Sequence, residues 1–451
     1  MALLLVSAAC GSVDASDPGS GSNPAADTTE PSAGIDCSLF EQFGDISGTQ
    51  VSVYSTVEFP PLYDEYGRAW QAFEQCTGAD VAHEASGAFS GDIIVRAESG
   101  DVPDIALFPQ PGLLAEVVGI GAVKPVFDEA KALVAAGFTD DWTQYGTFGE
   151  TLYGFPHGRV SSKSLVWYAP AVFGDAAYDV PQTWEEMLAL SDRIAADNPG
   201  GRVKPWCAGI ADEDATGWPA TDWVEDVMIR AHGSAYYDDW VSHDVPFNEA
   251  ESLQVWQKVG SILRNPDFVN GGFGDVASIA TTSLWDPGAA ILDGECHLMK
   301  MASFQQIVWP QGVSVAPDGD VFAFYFPIDA GATERPVVVG ADYVAAMQDR
   351  PEVRAFLTFL ASSGYHNIRD EEAFGFVSPH LGASIETVST PLGRLVFEQL
   401  RHPDAVVRFD GSDLMPGAVG AGSFWQEATA WIAEGKPTQS VLDAIEASWP
   451  R

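Results

Sequence analysis

Trp218 and Asp222 stand four residues apart in the stretch ATGWPATDWVED, residues 215–226. A core helix has no use for a Gly-Trp-Pro-Ala-Thr-Asp entry. The pair supplies what a sugar needs: a ring face for C–H groups and a carboxylate to accept from hydroxyls. Gly217 lets backbone approach a ligand closely. Pro219 suits a first helical turn, whose free N–H groups can also serve hydroxyls. Trp223 turns into the core. Similar polar and aromatic residues recur where the chain leaves other predicted strands, at Glu58, Gln110 and the Ser303-Phe304 pair. Trp218, in a non-regular segment, reads equally as a site residue or as core. Phe89, at a helix start, does so too. Trp184, Trp240, Trp256, Trp431 and Trp449 lie within or beside helices and read as core.

Signatures of covalent chemistry are missing. There is no G-x-S-x-G elbow, no H-E-x-x-H, no P-loop and no Gly-rich dinucleotide fingerprint after a strand. Asp212, Asp214, Thr216 and Gly217 fit four positions of a calcium loop, but the twelfth position is Trp223, where the motif requires Glu. Neither a metal nor a cofactor is expected. Lys plus Arg number 22 against 64 Asp plus Glu, a net charge of -42. That field repels nucleic acid and anionic headgroups and leaves a neutral polar ligand admissible.

These residues need elements to position them. VSVYS (51–55) alternates as a strand does, and PPLYDEYGRAWQAFEQCTG puts Leu62, Tyr66, Trp70 and Phe73 on one helical face. ADVAHEA, FSGDIIVRAESG and DIALFP continue the alternation, which predicts a parallel sheet with right-handed crossovers. Ligands of such sheets bind beyond the carboxyl ends of the strands. Further on, GETLYGFPHGRVSSKSLVWYAP reads as two strands around a turn, CAGI and GECHLMKMASF as strands, and Thr183 with Glu186 as a capping box. Helical patterns close the chain. At 451 residues two lobes are expected.

The N-terminus, MALLLVSAACGS, is too short an apolar run to span a bilayer. Small residues before Cys10 resemble the cleavage box of a bacterial lipoprotein signal, which implies a lipid on Cys10. No Lys or Arg precedes the run, which points to a start codon placed too late, and Ser7 stands where the box usually has Leu. Residues 1–10 then form the signal remnant, and the Gly/Ser/Pro/Asp-rich residues 11–36 a disordered tether. Of the three pairings open to Cys37, Cys76, Cys207 and Cys296, Cys37–Cys76 and Cys207–Cys296 keep each bridge within one region.

Taken in order, GDVPDIALFPQPG (100–112), LYGFPHGRVSSKSLVWYAP (152–170), VPQTWEEM (180–187), the PWCAGI to DVPFN region (205–248), CHLMKMASF (296–304) and RFDGSDLMPGAVGAGSFW (408–425) resemble the extracellular solute-binding proteins of bacterial ABC sugar importers. The likeness is to their α-glucoside-binding branch. It implies an α/β periplasmic-binding-protein-like fold of two lobes joined by a hinge, each lobe a mostly parallel sheet flanked by helices. Lobe one would be 38–112 with 335–385, and lobe two 113–334 with 386–451. The crossings would lie near Pro111 and Glu334. The resemblance places ligand contacts at Glu58, Phe89, Gln110, Gly217, Trp218, Asp222, Ser303, Phe304 and Trp425, with Lys163, Asp342, Asp410 and Asp413 as further candidates. Asp410 and Asp413 also read as local turn caps. Lys300 and Met301 stand where relatives often have His or Gln. The implied partners are a small carbohydrate, such as a disaccharide or glucosyl-osmolyte, and the permease subunits of an importer, served by a monomer outside the cytoplasmic membrane. Two other readings stay open: a secreted glycoside hydrolase, which also uses aromatics and paired carboxylates, and a binder of a non-sugar solute.

Overall fold

The computed structural model describes residues 35–58, 62–372 and 375–450. Cys10, the expected signal remnant and the expected tether up to residue 34 lie outside the described residues. Asp36 already belongs to the folded body: its carboxylate accepts from the Ser38 N–H and caps the turn Cys37–Phe43.

The strands are β1 (Gln50–Ser55), β2 (Asp80–Ala85), β3 (Ile105–Phe108), β4 (Thr147–Phe148), β5 (Thr151–Leu152), β6 (Gly154–Ser162), β7 (Leu165–Tyr168), β8 (Lys204–Trp206), β9 (Cys296–Lys300), β10 (Phe322–Tyr325), β11 (Arg335–Ala346) and β12 (Ala405–Phe409). The first sheet runs β12-β11-β3-β1-β2, and β6 also pairs with β11. β1 is parallel to β2 and β3, because the helices Leu62–Thr77 and Phe89–Ser99 carry the chain back across the sheet. The second sheet runs β10-β7-β9-β8, and β4 with β5 make a separate hairpin.

The α/β architecture with two main sheets is the expected one. In the second sheet, however, only β8 and β9 are parallel, whereas β7 runs against both β9 and β10. β7 enters this sheet from β6 of the other one, and the strands it pairs with, β9 and β10, lie far along the chain and are not reached from it through a single crossover helix. The CAGI strand is also displaced: β8 is Lys204–Trp206 and ends before Cys207.

Two large apolar cores flank the sheets. One gathers Trp70, Phe73, Phe108, Phe155, Tyr343, Phe356 and Phe359, and the other Trp206, Trp223, Trp240, Trp256, Phe424 and Trp431. Trp184 is buried in the second core as well, while Trp449 is half-buried and stacked on His243 at 4.1 Å.

The expected boundary at residue 112 is corrected. Leu113, Val117, Val134, Phe138, Phe155 and Val160 all lie in the first core, and Pro111 opens the helix Pro111–Ile120 within it. The chain leaves the first sheet at Lys163-Ser164. There the Lys163 N–H donates to the Val338 carbonyl and the Ser164 hydroxyl accepts from the Val338 N–H. It returns between Tyr325 and Arg335. β12, expected in lobe two, pairs parallel to β11 in the first sheet. The physical reason is that a strand's lobe is set by its hydrogen-bonding partner, here β11, which lies far along the chain from β6.

Cys37 is bonded to Cys76 and Cys207 to Cys296. The Thr183–Glu186 capping box is present in full at the helix Trp184–Asp197.

The cleft and its family

A cavity of about 220 Å³ opens where the two sheets meet. Thr56 and Gln110 reach it from the carboxyl ends of β1 and β3, the place an α/β sheet offers a ligand. Arg159, Ser161 and Lys163 reach it at alternate positions along and just past β6, so they share one face of the strand. β6 pairs antiparallel with β11, which brings Gly340 and Asp342 alongside. The opposite wall comes from Trp218, Phe304, Phe376, Asp413 and Trp425.

The rings are set over cations and beside carboxylates. Lys163 Nζ lies 4.9 Å from the Trp218 ring centroid, and the Arg159 guanidinium lies 4.4 Å from that of Phe376. Phe304 connects them, at 6.0 Å from Trp218 and 6.1 Å from Phe376. The Trp218 indole N–H donates to Asp212 at 2.9 Å, which fixes its plane. Arg159 Nη1 donates to Asp342 at 2.7 Å, and Gln110 Nε2 to Asp413 at 3.0 Å. The Trp425 indole N–H donates to the Ser412 hydroxyl at 3.2 Å.

Behind the wall lies a buried charge cluster. Lys163 Nζ donates to Asp222 at 3.0 Å and to Asp410. Glu225 accepts from the N–H groups of Gly411 and Ser412 at 2.8 and 3.1 Å, and Asp410 accepts from the Asp413 N–H at 3.0 Å. Asp222, Glu225 and Asp410 are close enough to share a cation, and the ammonium of Lys163 occupies that role against Asp222 and Asp410. Burial alone would discharge Lys163, but the surrounding carboxylates outweigh it and hold the lysine charged well above its usual range. Burial, and then the like charge of Asp410, push Asp413 and Glu225 well up. Burial also lifts Asp222 to about 7, against the pull of Lys163. Asp410 is equally buried, yet Lys163 holds it down at about 2.

The candidate residues thus fall into three groups. Gln110, Lys163, Trp218, Phe304, Asp342, Asp413 and Trp425 line the cavity. Asp222, Asp410, Ser303 and Gly217 stand behind it. Ser303, fully buried, accepts from the Ser162 N–H at 3.2 Å and donates to the Gly375 carbonyl, tying β6 to the segments that carry Phe304 and Phe376. Gly217 has φ 117°, and a Cβ there would stand 2.4 Å from the Trp425 carbonyl oxygen. Its close backbone approach is therefore to Trp425, and this is what brings the two tryptophans together. Glu58 and Phe89 lie outside the lining. Glu58 is exposed beside Gly87. Phe89 is 0% exposed, packed on Tyr54 and Phe108 in the first core, because the helix it opens turns that face to the sheet. Arg159, Ser161 and Phe376 also line the cavity and are not among the candidates read from the sequence, whereas Thr56 lies at a strand end where a ligand is expected. The alternation Arg159, Ser161, Lys163 was the available signal.

The cavity combines rings with paired ions, and the family of the chain follows from comparison of its whole length. The family model for bacterial extracellular solute-binding proteins matches residues 59–367. The chain belongs to that family. Among curated solute-binding relatives, the alpha-glucosides-binding periplasmic protein AglE of Rhizobium meliloti is 34% identical over 84% of this chain and 82% of its own. The osmoprotective compounds-binding protein GgtB of Synechocystis sp. is 35% identical over 90% of this chain and 94% of its own. Both relatives are binding proteins by name. Solved solute-binding proteins share the fold at low identity. The galactopyranose-preferring receptor AcbH gives a TM-score of 0.73 at 15% identity over 89% of this chain and 98% of its own. Raffinose-bound RafE gives 0.67 at 15% identity, again over 89% and 98%. No helix among the described residues is long and apolar enough to cross a membrane.

Proposed function

We propose that this solute-binding protein captures a neutral α-glucoside in the cleft between its two sheets and delivers it to the permease of an ABC importer. The observation that carries the reading is the pairing of ring faces with fixed polar groups in one cavity. Trp218, Phe304, Phe376 and Trp425 offer apolar faces, while Gln110, Arg159, Asp342 and Asp413 offer donors and acceptors already held in place by each other. Similarity to the AglE and GgtB proteins supports an α-glucoside or a glucosylated osmolyte over other neutral solutes.

First-sheet residues such as Arg159 and Asp342 and the openings of the helices Trp218–Val241 and Trp425–Ala433 all line the cavity, so only a closed arrangement offers the ligand all its contacts, and binding favours closure. Ring stacking and hydrogen bonding supply the affinity, with no bond made or broken. A lipid on Cys10 and a tether would keep the body near the permease outside the membrane, and it would act as a monomer.

The test is a thermal-shift and calorimetric screen of residues 36–451 against trehalose, sucrose, maltose, glucosylglycerol, glucose and amino acids, with each hit recovered and analysed. A ligand that binds only the native state raises the melting temperature by mass action. A shift with an intact α-glucoside is expected. A shift followed by cleavage would replace the reading with a hydrolase. A shift with amino acids alone, or none at all, would overturn the glucoside assignment.

A further inference from the structure

Trp285 is a partly exposed aromatic residue that touches the cleft lining through Phe304. It is 36% exposed, and among the described residues it is the one aromatic side chain with the exposed large apolar residues Val95, Ile120, Leu292 and Leu381. Its ring centroid lies 6.0 Å from that of Phe304, edge-on at 68°. Phe304 lines the cavity and is itself 6.0 Å from Trp218 and 6.1 Å from Phe376. The aromatic surface of the cavity therefore continues past Phe304 to Trp285 and out to solvent. A large, partly exposed ring beside a polar cleft is suited to a ligand with one apolar face and a polar edge.

The cavity volume bears on the size of that ligand. About 220 Å³ is below the roughly 300–1,000 Å³ of pockets that enclose drug-sized molecules. That space matches one pyranose ring more closely than two linked ones, and the cleft is open on the side where a second ring would extend. Phe304 and Trp285 mark an apolar way out.

We infer that Trp285 is the platform of an outer subsite, which stacks the second pyranose of a di- or oligosaccharide whose first ring occupies the cavity. The inference rests on the glucoside reading and adds chain length to it: the preferred cargo has at least two rings. It also assigns Trp285 to specificity. The inner wall holds any α-glucosyl group, and the outer ring separates a disaccharide from a single sugar.

The experiment compares wild type, Trp285→Phe and Trp285→Ala in calorimetric titrations. The ligands are methyl α-D-glucoside and whichever of trehalose, sucrose or maltose binds tightest. Wild type should prefer the disaccharide. Trp285→Ala should lose about tenfold in disaccharide affinity and stay within about twofold for the single-ring ligand, with Trp285→Phe in between. A loss shared equally by both ligands, no loss for either, or a wild type that binds the disaccharide no better than the single ring would overturn the subsite and leave the glucoside reading standing. Absence of any sugar binding in wild type would overturn both. Iodide quenching is an independent readout that does not depend on the alanine variant folding. The disaccharide should shield the same tryptophan emission that Trp285→Phe removes, and unchanged quenching would count against the subsite.

Discussion

Lys163 Nζ lies 3.0 Å from Asp222 Oδ1, and both side chains are buried behind the Trp218 ring. The lysine sits where the chain crosses from one sheet to the other, and the aspartate lies one turn into the helix Trp218–Val241. Asp410, after β12, grips the same ammonium. A single cation thus joins the crossing segment, the second lobe's long helix and the end of a first-sheet strand. Replacing it by Lys163→Met leaves buried carboxylates uncompensated. Removal of one partner from such a pair costs about 3–5 kcal/mol, and urea unfolding should show a loss of that order.

The same cluster predicts a pH dependence with a definite sign. Asp222 is raised to about 7 by burial and then by the charge of Asp410, although Lys163 opposes this. The unfolded chain releases that proton near 4, so between these values the folded state binds more protons. The stability contributed by this proton is complete below about pH 4 and is lost as pH rises through about 7. Asp410, held near 2 by Lys163 despite its burial, acts oppositely: its contribution is present above about pH 4 and lost as pH falls towards 2. Asp222→Asn keeps an acceptor for Lys163 and removes the titration. Its stability relative to wild type should improve from about pH 5 to about pH 8 by about 1 kcal/mol or more in urea unfolding at the two pH values.

Gly217→Ala tests how the two tryptophan-bearing helices are held together. The substitution forces a side chain into a left-handed backbone and against the Trp425 carbonyl. A loss of about 2–3 kcal/mol is expected, with weaker ligand binding because Trp218 and Trp425 are pushed apart. Thermal unfolding and titration of the same sample check both parts.

Trp218→Ala removes a ring from the wall while leaving the Lys163 ion pairs in place. Sugar affinity should fall about tenfold to a hundredfold, the range for a buried aromatic anchor. A melting temperature close to wild type would separate a binding role from a structural one.

The Cys207–Cys296 bridge ties the end of β8 to the start of β9 and closes a loop with a sequence separation of 89 residues. Substituting both cysteines by serine should cost about 2–5 kcal/mol, read as a lowered urea midpoint against wild type under oxidising conditions.

Much of this protein is set by short-range pattern. The alternation of VSVYS, the helical faces around Trp70 and Ile93, the Thr183–Glu186 box and the glycine before Trp218 are all satisfied within a few residues, so the chain specifies them locally. The aromatic and polar types at Gln110, Trp218 and Phe304 were legible for the same reason, since each follows or opens an element whose end faces the cleft. The tertiary structure alone decided that β6 joins β11, which moved residues 113–162 into the first lobe and put Arg159 and Lys163 on the cavity wall. It alone placed Phe89 in the core, and set Asp222 and Asp410 on a lysine where sequence reasoning had offered them to a ligand. Side-chain period is a property of neighbours along the chain. Strand partners and the neutralisation of buried charge depend on residues hundreds of positions away, which meet only when the two sheets pack.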